Sequence, residues 1–177
     1  MTPFPVASEL RYADLAVGGN YACALRSGGE ADCWGHLPFD YLNNNFFSSD
    51  SVLSVPTVPE QVAPGLRFLS VSVGSQVACG LTDDGAAQCW GDHLYGGLGD
   101  GRMRNPNNAN DRPRMTPGPV LGERTFQAVV AGHYRGCGLM ADGVVYCWGR
   151  NDYGQLGDGT TLDRAEPVMV REGPEDP

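Results

Sequence analysis

Lysine is absent: all twelve basic residues of this 177-residue chain are arginine, set against twenty-one acidic residues for a net charge of −9. A field of that sign repels nucleic acid and anionic membrane, so neither is expected as a partner. No run of eighteen apolar residues is present, which excludes a membrane-spanning helix and direct membrane insertion. A sustained helical stripe of apolar residues is missing too, which argues against a bundle. Met1-Thr2-Pro3-Phe4 lacks the basic start and apolar segment of a signal peptide. No glycine sits in the strand–loop–helix setting that phosphate-binding loops require, so no cofactor is expected.

The chain has twenty-five glycines and thirteen prolines, with only short apolar runs between them. That pattern predicts an all-β fold of many short strands and turns, in one domain over residues 1–177. The stretch from Val130 to Gly159 reads as a β-hairpin, its arms joined across Ala141-Asp142-Gly143, followed by a glycine-punctuated loop. Two earlier stretches repeat it. Aligned on Cys23, Cys79 and Cys137, the copies share Gly18, Gly74 and Gly132; Leu25, Leu81 and Leu139; and Gly29, Gly85 and Gly143. Each then closes on Cys33-Trp34-Gly35, Cys89-Trp90-Gly91 or Cys147-Trp148-Gly149. The repeats run over about 5–59, 60–116 and 117–171, with insertions at 36–59 and 102–114 and a tail at 172–177.

A three-residue hairpin loop with glycine in the left-handed position fixes the register of both arms. With Asp83-Asp84-Gly85 as the loop, Thr82 faces Ala86 and Cys79 falls opposite Cys89; the same counting pairs Cys23 with Cys33 and Cys137 with Cys147. Directly opposed cysteines on antiparallel strands lie within disulfide reach, so three local disulfides are the economical reading. Reduced, buried thiols stacked in pairs are the alternative. Zinc is not indicated, because no third and fourth ligand recurs with each pair. The register also sets Trp34, Trp90 and Trp148 opposite Ala22, Ala78 and Gly136, with Ala24, Gly80 and Gly138 as small diagonal neighbours. These tryptophans read as core. Further expectations are a strand over 67–73 with Leu69, Val71 and Val73 on one face, and a strand from Phe126 to Ala131. Arg26 and Glu30 should pair across the first turn, and Glu166 to Val170 should begin a fourth unit.

The insertions are the parts the repeats do not share. Residues 36–59 are polar and aromatic, and residues 102–114 carry four arginines with one aspartate, the basic spot of an acidic chain. The second is either a solvated loop or a contact for an acidic partner surface. Aromatic and arginine side chains dominate interface energetics. The candidate contacts are therefore Tyr41, Phe46, Phe47, Arg102, Arg104, Arg112 and Arg114. His36, His93 and His133 stand at different offsets with no fixed nucleophile beside them, so no catalytic triad is supported and the histidines read as polar or surface residues. Asp100 and Asp158 lie between glycines, but their loops lack the ligand count of a calcium site. No catalytic residue and no metal site is expected.

Gly132, Cys137-Gly138-Leu139, Asp142-Gly143, Cys147-Trp148-Gly149, Asn151 and Tyr153-Gly154-Gln155-Leu156-Gly157-Asp158-Gly159-Thr160 together resemble the regulator of chromosome condensation repeat family, in a bacterial-type form with paired cysteines. The third repeat matches closely and the second well, while the first keeps only Leu42 of the trailing pattern. The resemblance implies a β-propeller of about seven four-stranded blades, of which this chain supplies three. It also implies functions that are almost all binding: nucleotide exchange on a small GTPase with chromatin docking, β-lactamase inhibition, ubiquitin-ligase accessory domains, and a plant ultraviolet-B receptor. Photoreception would need tryptophans directly after the shared glycines, where Gly19, Ser75 and His133 stand.

Three blades are too few to close a ring, so the chain is not expected to be an isolated monomer. It is a piece of a longer ring, or several chains meet, two of them making six blades with Pro167 to Val170 completing a neighbour's first blade, or it is an open arc capped by other proteins. The expected function is a non-catalytic protein-protein interaction module. The alternative is a structural subunit of a larger extracytoplasmic or membrane-associated assembly, and an enzyme such as a glycan hydrolase is the remotest reading. Paired cysteines point to an oxidising, extracytoplasmic compartment (periplasmic, secreted or cell surface), with a leader expected ahead of this sequence.

Overall fold

The computed structural model describes residues 10–36, 57–105, 108 and 111–173. Twelve strands in this part of the chain form three four-stranded antiparallel sheets. The first sheet comprises β1 (Tyr12–Gly18), β2 (Asn20–Arg26), β3 (Ala31–His36) and β4 (Glu60–Gln61); the second β5 (Phe68–Val73), β6 (Val77–Thr82), β7 (Ala87–Gly91) and β8 (Arg114–Pro119). The third comprises β9 (Phe126–Ala131), β10 (Arg135–Met140), β11 (Val145–Gly149) and β12 (Arg164–Met169). Strand order follows chain order in every sheet, so each is a meander and reads as one propeller blade.

The hairpin arithmetic is realised in all three copies. Thr82 donates its N–H to the Ala86 carbonyl at 3.0 Å, and Cys23, Cys79 and Cys137 stand opposite Cys33, Cys89 and Cys147. The six cysteines form three disulfides, each with a Cα–Cα separation of 4.1 Å and a sequence separation of 10. Trp34, Trp90 and Trp148 face Ala22, Ala78 and Gly136 as the register requires.

Three expectations are corrected. Leu69 does not share a face with Val71 and Val73: a bulge between Phe68 and Ser70 turns Leu69 outward and carries Phe68 into the core instead. The same irregularity recurs between Tyr12 and Asp14 and between Phe126 and Ala128, so strict alternation fails at the same place in the first strand of each blade. The bulge explains the small diagonal residues, since a Cβ on Gly80 or Gly138 would lie within 2.5 Å of the Phe68 or Phe126 ring. Secondly, the bond between Arg26 and Glu30 is a backbone one; the Arg26 guanidinium makes two hydrogen bonds to Asp32, at 2.7 and 2.8 Å, while Glu30 pairs with Arg67. Asp32 is fully buried and needs that charge more than half-buried Glu30 would. Thirdly, Glu166 to Met169 begin no fourth unit; they belong to β12, which pairs with β11 and completes the third sheet.

The blades stack through two internal cores. In the first, Tyr21, Cys23, Leu25, Ala31 and Cys33 meet Phe68, Val71, Val73 and Trp90 of the next blade. In the second, Val77, Cys79, Leu81, Ala87 and Cys89 meet Phe126, Val129 and Trp148. Every blade thus has a leading face of large rings and valines and a trailing face built around its disulfide. Glycines bring the leading strands together. A Cβ on Gly18 would lie 2.3 Å from the Val73 carbonyl oxygen, and one on Gly74 2.1 Å from that of Gly132, so neighbouring backbones pass with no room for a side chain.

Candidate protein-interaction surfaces

The glycine-rich loops after β7 and β11 are scaffold. Asn151, buried, holds the third loop shut: its side-chain amide donates to the Leu162 and Thr160 carbonyls at 3.0 and 3.1 Å and to Asp158, while its oxygen accepts the Leu156 N–H at 2.9 Å. Burial pushes the Asp158 carboxyl up, but hydrogen bonds from Thr160 and Arg164 outweigh it and hold the group at about 2. A carboxylate engaged in this way is committed to the loop.

In the second blade the place of Asn151 is taken by His93, and the residues around it form a different lock. His93 is buried rather than a surface histidine, with Nε2 2.9 Å from Asp111. The Asn105 N–H donates to the same carboxylate at 2.7 Å, and with His93 holds the Asp111 carboxyl below its usual range. Arg104 pairs with Asp92 at 2.8 Å. Arg114 donates to Asp100 at 3.0 Å and to the carbonyls of Cys89 and Gly118 at 2.8 and 3.1 Å.

Of the sequence-derived contact residues, Arg104 and Arg114 are therefore engaged inside the chain. Arg102 and Arg112 are exposed, the former beside Asp100. Tyr41, Phe46 and Phe47 lie outside the described residues. Among the described residues no group of three histidine, cysteine, aspartate or glutamate side chains is arranged to hold a metal ion. No helix there is long and apolar enough to cross a membrane.

Two surfaces remain, one anticipated from the blade count without its residues and one not anticipated at all. The first is the pair of end faces of the blade stack. Leu15 and Val17 occupy the register positions of Val71 and Val73, yet they are 60% and 69% exposed against 7% and 8%. Trp34, which stacks 6.4 Å from Tyr12, is half-buried where Trp90 and Trp148 are fully buried. At the other end Val130 is exposed, and Cys137, Leu139 and Val145 are half-buried where their counterparts in the other blades are covered. The open leading and trailing faces carry the same kinds of residue that meet in the two internal cores.

The second surface lies where the loop after β7 meets the turn before β10. The Tyr95 and Tyr134 rings meet edge-on with centroids 5.3 Å apart, His133 stacks against Tyr134 at 4.6 Å, and the Arg150 guanidinium lies 5.3 Å from the Tyr95 ring. Partial burial, then Arg150, then Arg135, pull the His133 imidazole below its ordinary value.

Comparison with known proteins agrees with this architecture. Residues 68–96, 126–155 and 142–176 match the regulator of chromosome condensation (RCC1) repeat. Human E3 ubiquitin-protein ligase HERC2 is 30% identical over 90% of this chain, which spans 3% of that protein. The ultraviolet-B receptor UVR8 of Arabidopsis thaliana is 27% identical over 96% of the chain, which spans 49% of the receptor. Among solved structures, yeast RCC1 (Prp20) bound to Kap60 superposes with a TM-score of 0.72 at 20% identity, over 91% of this chain and 37% of the other. Human WBSCR16 gives 0.68 at 22% identity, over 92% and 40%. At such identities the structures establish the shared fold, three blades of a β-propeller, and the repeat matches establish the lineage: the chain belongs to the regulator of chromosome condensation repeat family.

Proposed function

We propose that this chain is a non-catalytic protein-interaction module, a three-blade arc whose open end faces receive protein. The observation that carries this reading is the contrast between Leu15 and Val17, open to solvent, and Val71 and Val73, closed by the preceding blade. Apolar side chains on a face this regular are not left wet without cost, at about 25 cal/mol for each Å². The chemistry each end face fits is another blade of the same repeat type, whether from a second chain or from further repeats.

Yeast RCC1 crystallised with Kap60 shows a propeller of this fold in a protein complex, which supports a protein as partner. The arginines of the second insertion that remain exposed, Arg102 and Arg112, are the polar contacts this reading retains, together with Tyr41, Phe46 and Phe47 of the first insertion. A structural subunit of a larger extracytoplasmic or membrane-associated assembly is the second reading, favoured by three disulfides in a chain without a free cysteine.

Light scattering on the purified 177-residue chain tests the first reading. The expected mass exceeds one chain and falls to a single chain when Leu15 and Val17 are both replaced by glutamate, with the melting temperature kept. A stable, soluble single-chain species with the leading face unaltered would overturn it.

A further inference from the structure

Only three non-glycine residues in the described chain have positive φ: Tyr95 at 60°, Tyr134 at 53° and Glu123 at 45°. Bulky residues seldom adopt that conformation, and such strain gathers where function requires a particular shape. Here two of the three face each other across the junction of the second and third blades. Neither shape belongs to the repeat as such, since Tyr153, at the register position of Tyr95, and Gln76 and Asn20, at that of Tyr134, are not among the positive-φ residues.

The strained backbone is held from both sides. The Tyr134 carbonyl accepts the Arg150 N–H at 3.0 Å, and a Cβ on Gly97 would lie 3.0 Å from that same oxygen, so the loop after β7 is pressed on the turn. Two guanidinium groups stand nearby: that of Arg150 lies over the Tyr95 ring, and that of Arg135 lies by Gly132, the residue before His133. Arg150 is shared with Asp152 at 2.6 Å, a partly exposed pair that a competing carboxylate can replace at little expense. Arg135 has no carboxylate partner among the described residues, and it contributes to the positive potential felt by His133. Arginines gathered at aromatic rings, one of them over the Tyr95 face, make in a chain of net charge −9 a local site for an anion carried on an apolar scaffold.

We infer that Tyr95, His133, Tyr134, Arg135 and Arg150 form a docking site for an acidic peptide segment of a partner protein, its carboxylates on the two arginines and an adjacent aromatic side chain against the tyrosines. The site is separate from the end faces, and its test is independent of theirs.

The probe is a fluorescein-labelled Asp-Glu-Phe-Asp-Glu peptide, with Asn-Gln-Phe-Asn-Gln as control, titrated with the 177-residue chain at low salt and followed by polarisation. The acidic peptide is expected to bind about tenfold more tightly than the control, and Arg135→Gln to remove most of that difference. Tyr95→Gly supplies the readout a structural role would not give: it relieves the left-handed strain, so the melting temperature holds or rises while binding weakens by about tenfold. The Leu15 and Val17 glutamate variant is expected to bind as the parent does. Equal affinity for the two peptides, or acidic-peptide affinity unchanged in both Arg135→Gln and Tyr95→Gly, would overturn the inference.

Discussion

A side chain at Gly74 would meet the carbonyl oxygen of Gly132 at 2.1 Å, so the leading strands of the second and third blades touch backbone to backbone. The Gly18 contact with Val73 and Gly74 is its counterpart one blade earlier. These glycines set how closely the blades converge. Even one methyl group at Gly74 must push a whole strand aside, because no flexible side chain is there to yield. Gly74→Ala is expected to destabilise the chain by about 3 kcal/mol, whereas Gly143→Ala, in open space at a positive φ, costs only about 1 kcal/mol. Denaturant unfolding of the two variants checks the order; equal losses would contradict the close approach.

Asp32 is a buried carboxylate that depends on Arg26. Taking away the guanidinium leaves the charge with the Tyr12 hydroxyl, at 3.1 Å, as its remaining side-chain partner. Arg26→Ala is therefore expected to cost about 3 kcal/mol, while replacing Glu30 by alanine costs a few tenths at most. Thermal melts of both variants separate this pairing from the cross-turn pair expected from sequence.

Asp158 predicts acid sensitivity of the third loop. Its carboxyl sits at about 2 in the folded chain, below its ordinary 3.8, so the folded state binds the proton less readily than the unfolded one. The stability it contributes is present in full above pH 4 and is lost as pH falls from about 4 to about 2. In Asp158→Asn that part of the acid limb should flatten. The measurement is unfolding against pH, followed by tryptophan fluorescence.

The disulfides differ in access. Cys23, Cys33, Cys79 and Cys89 are buried between blades, while Cys137 is half-buried on the open trailing face. A water-soluble phosphine should therefore reduce Cys137–Cys147 first, which alkylation and mass spectrometry would show. A protein seated on that face should slow this reaction and leave the other two unchanged.

What the sequence disclosed was governed by short range. Turn length sets register, so the Cys79–Cys89 pairing and the Trp148–Gly136 contact follow from counting residues around a three-residue loop. The bulge at Leu69 was hidden because nothing in an alternating segment marks which residue will be extruded; the signal lay across the sheet, in Gly80, which has room for the Phe68 ring. Asp32 likewise looked like any exposed acidic residue, since its partners Tyr12 and Arg26 come from two other strands of its own blade. Arg104 and Arg114 read as surface charge, whereas Asp92 and Asp100, ten or more residues away in the chain, engage them. The junction of Tyr95 and Tyr134 joins two repeats, and no single repeat announces it.

Each disulfide joins residues ten apart and lies wholly within one blade. Covalent reinforcement therefore stops at every blade boundary, and under mechanical load the stack should part between blades and yield them one at a time, each with its hairpin intact. The same modularity bears on descent. A blade gained or lost by duplication or deletion carries both of its cysteines with it, so the number of blades can change without stranding a thiol.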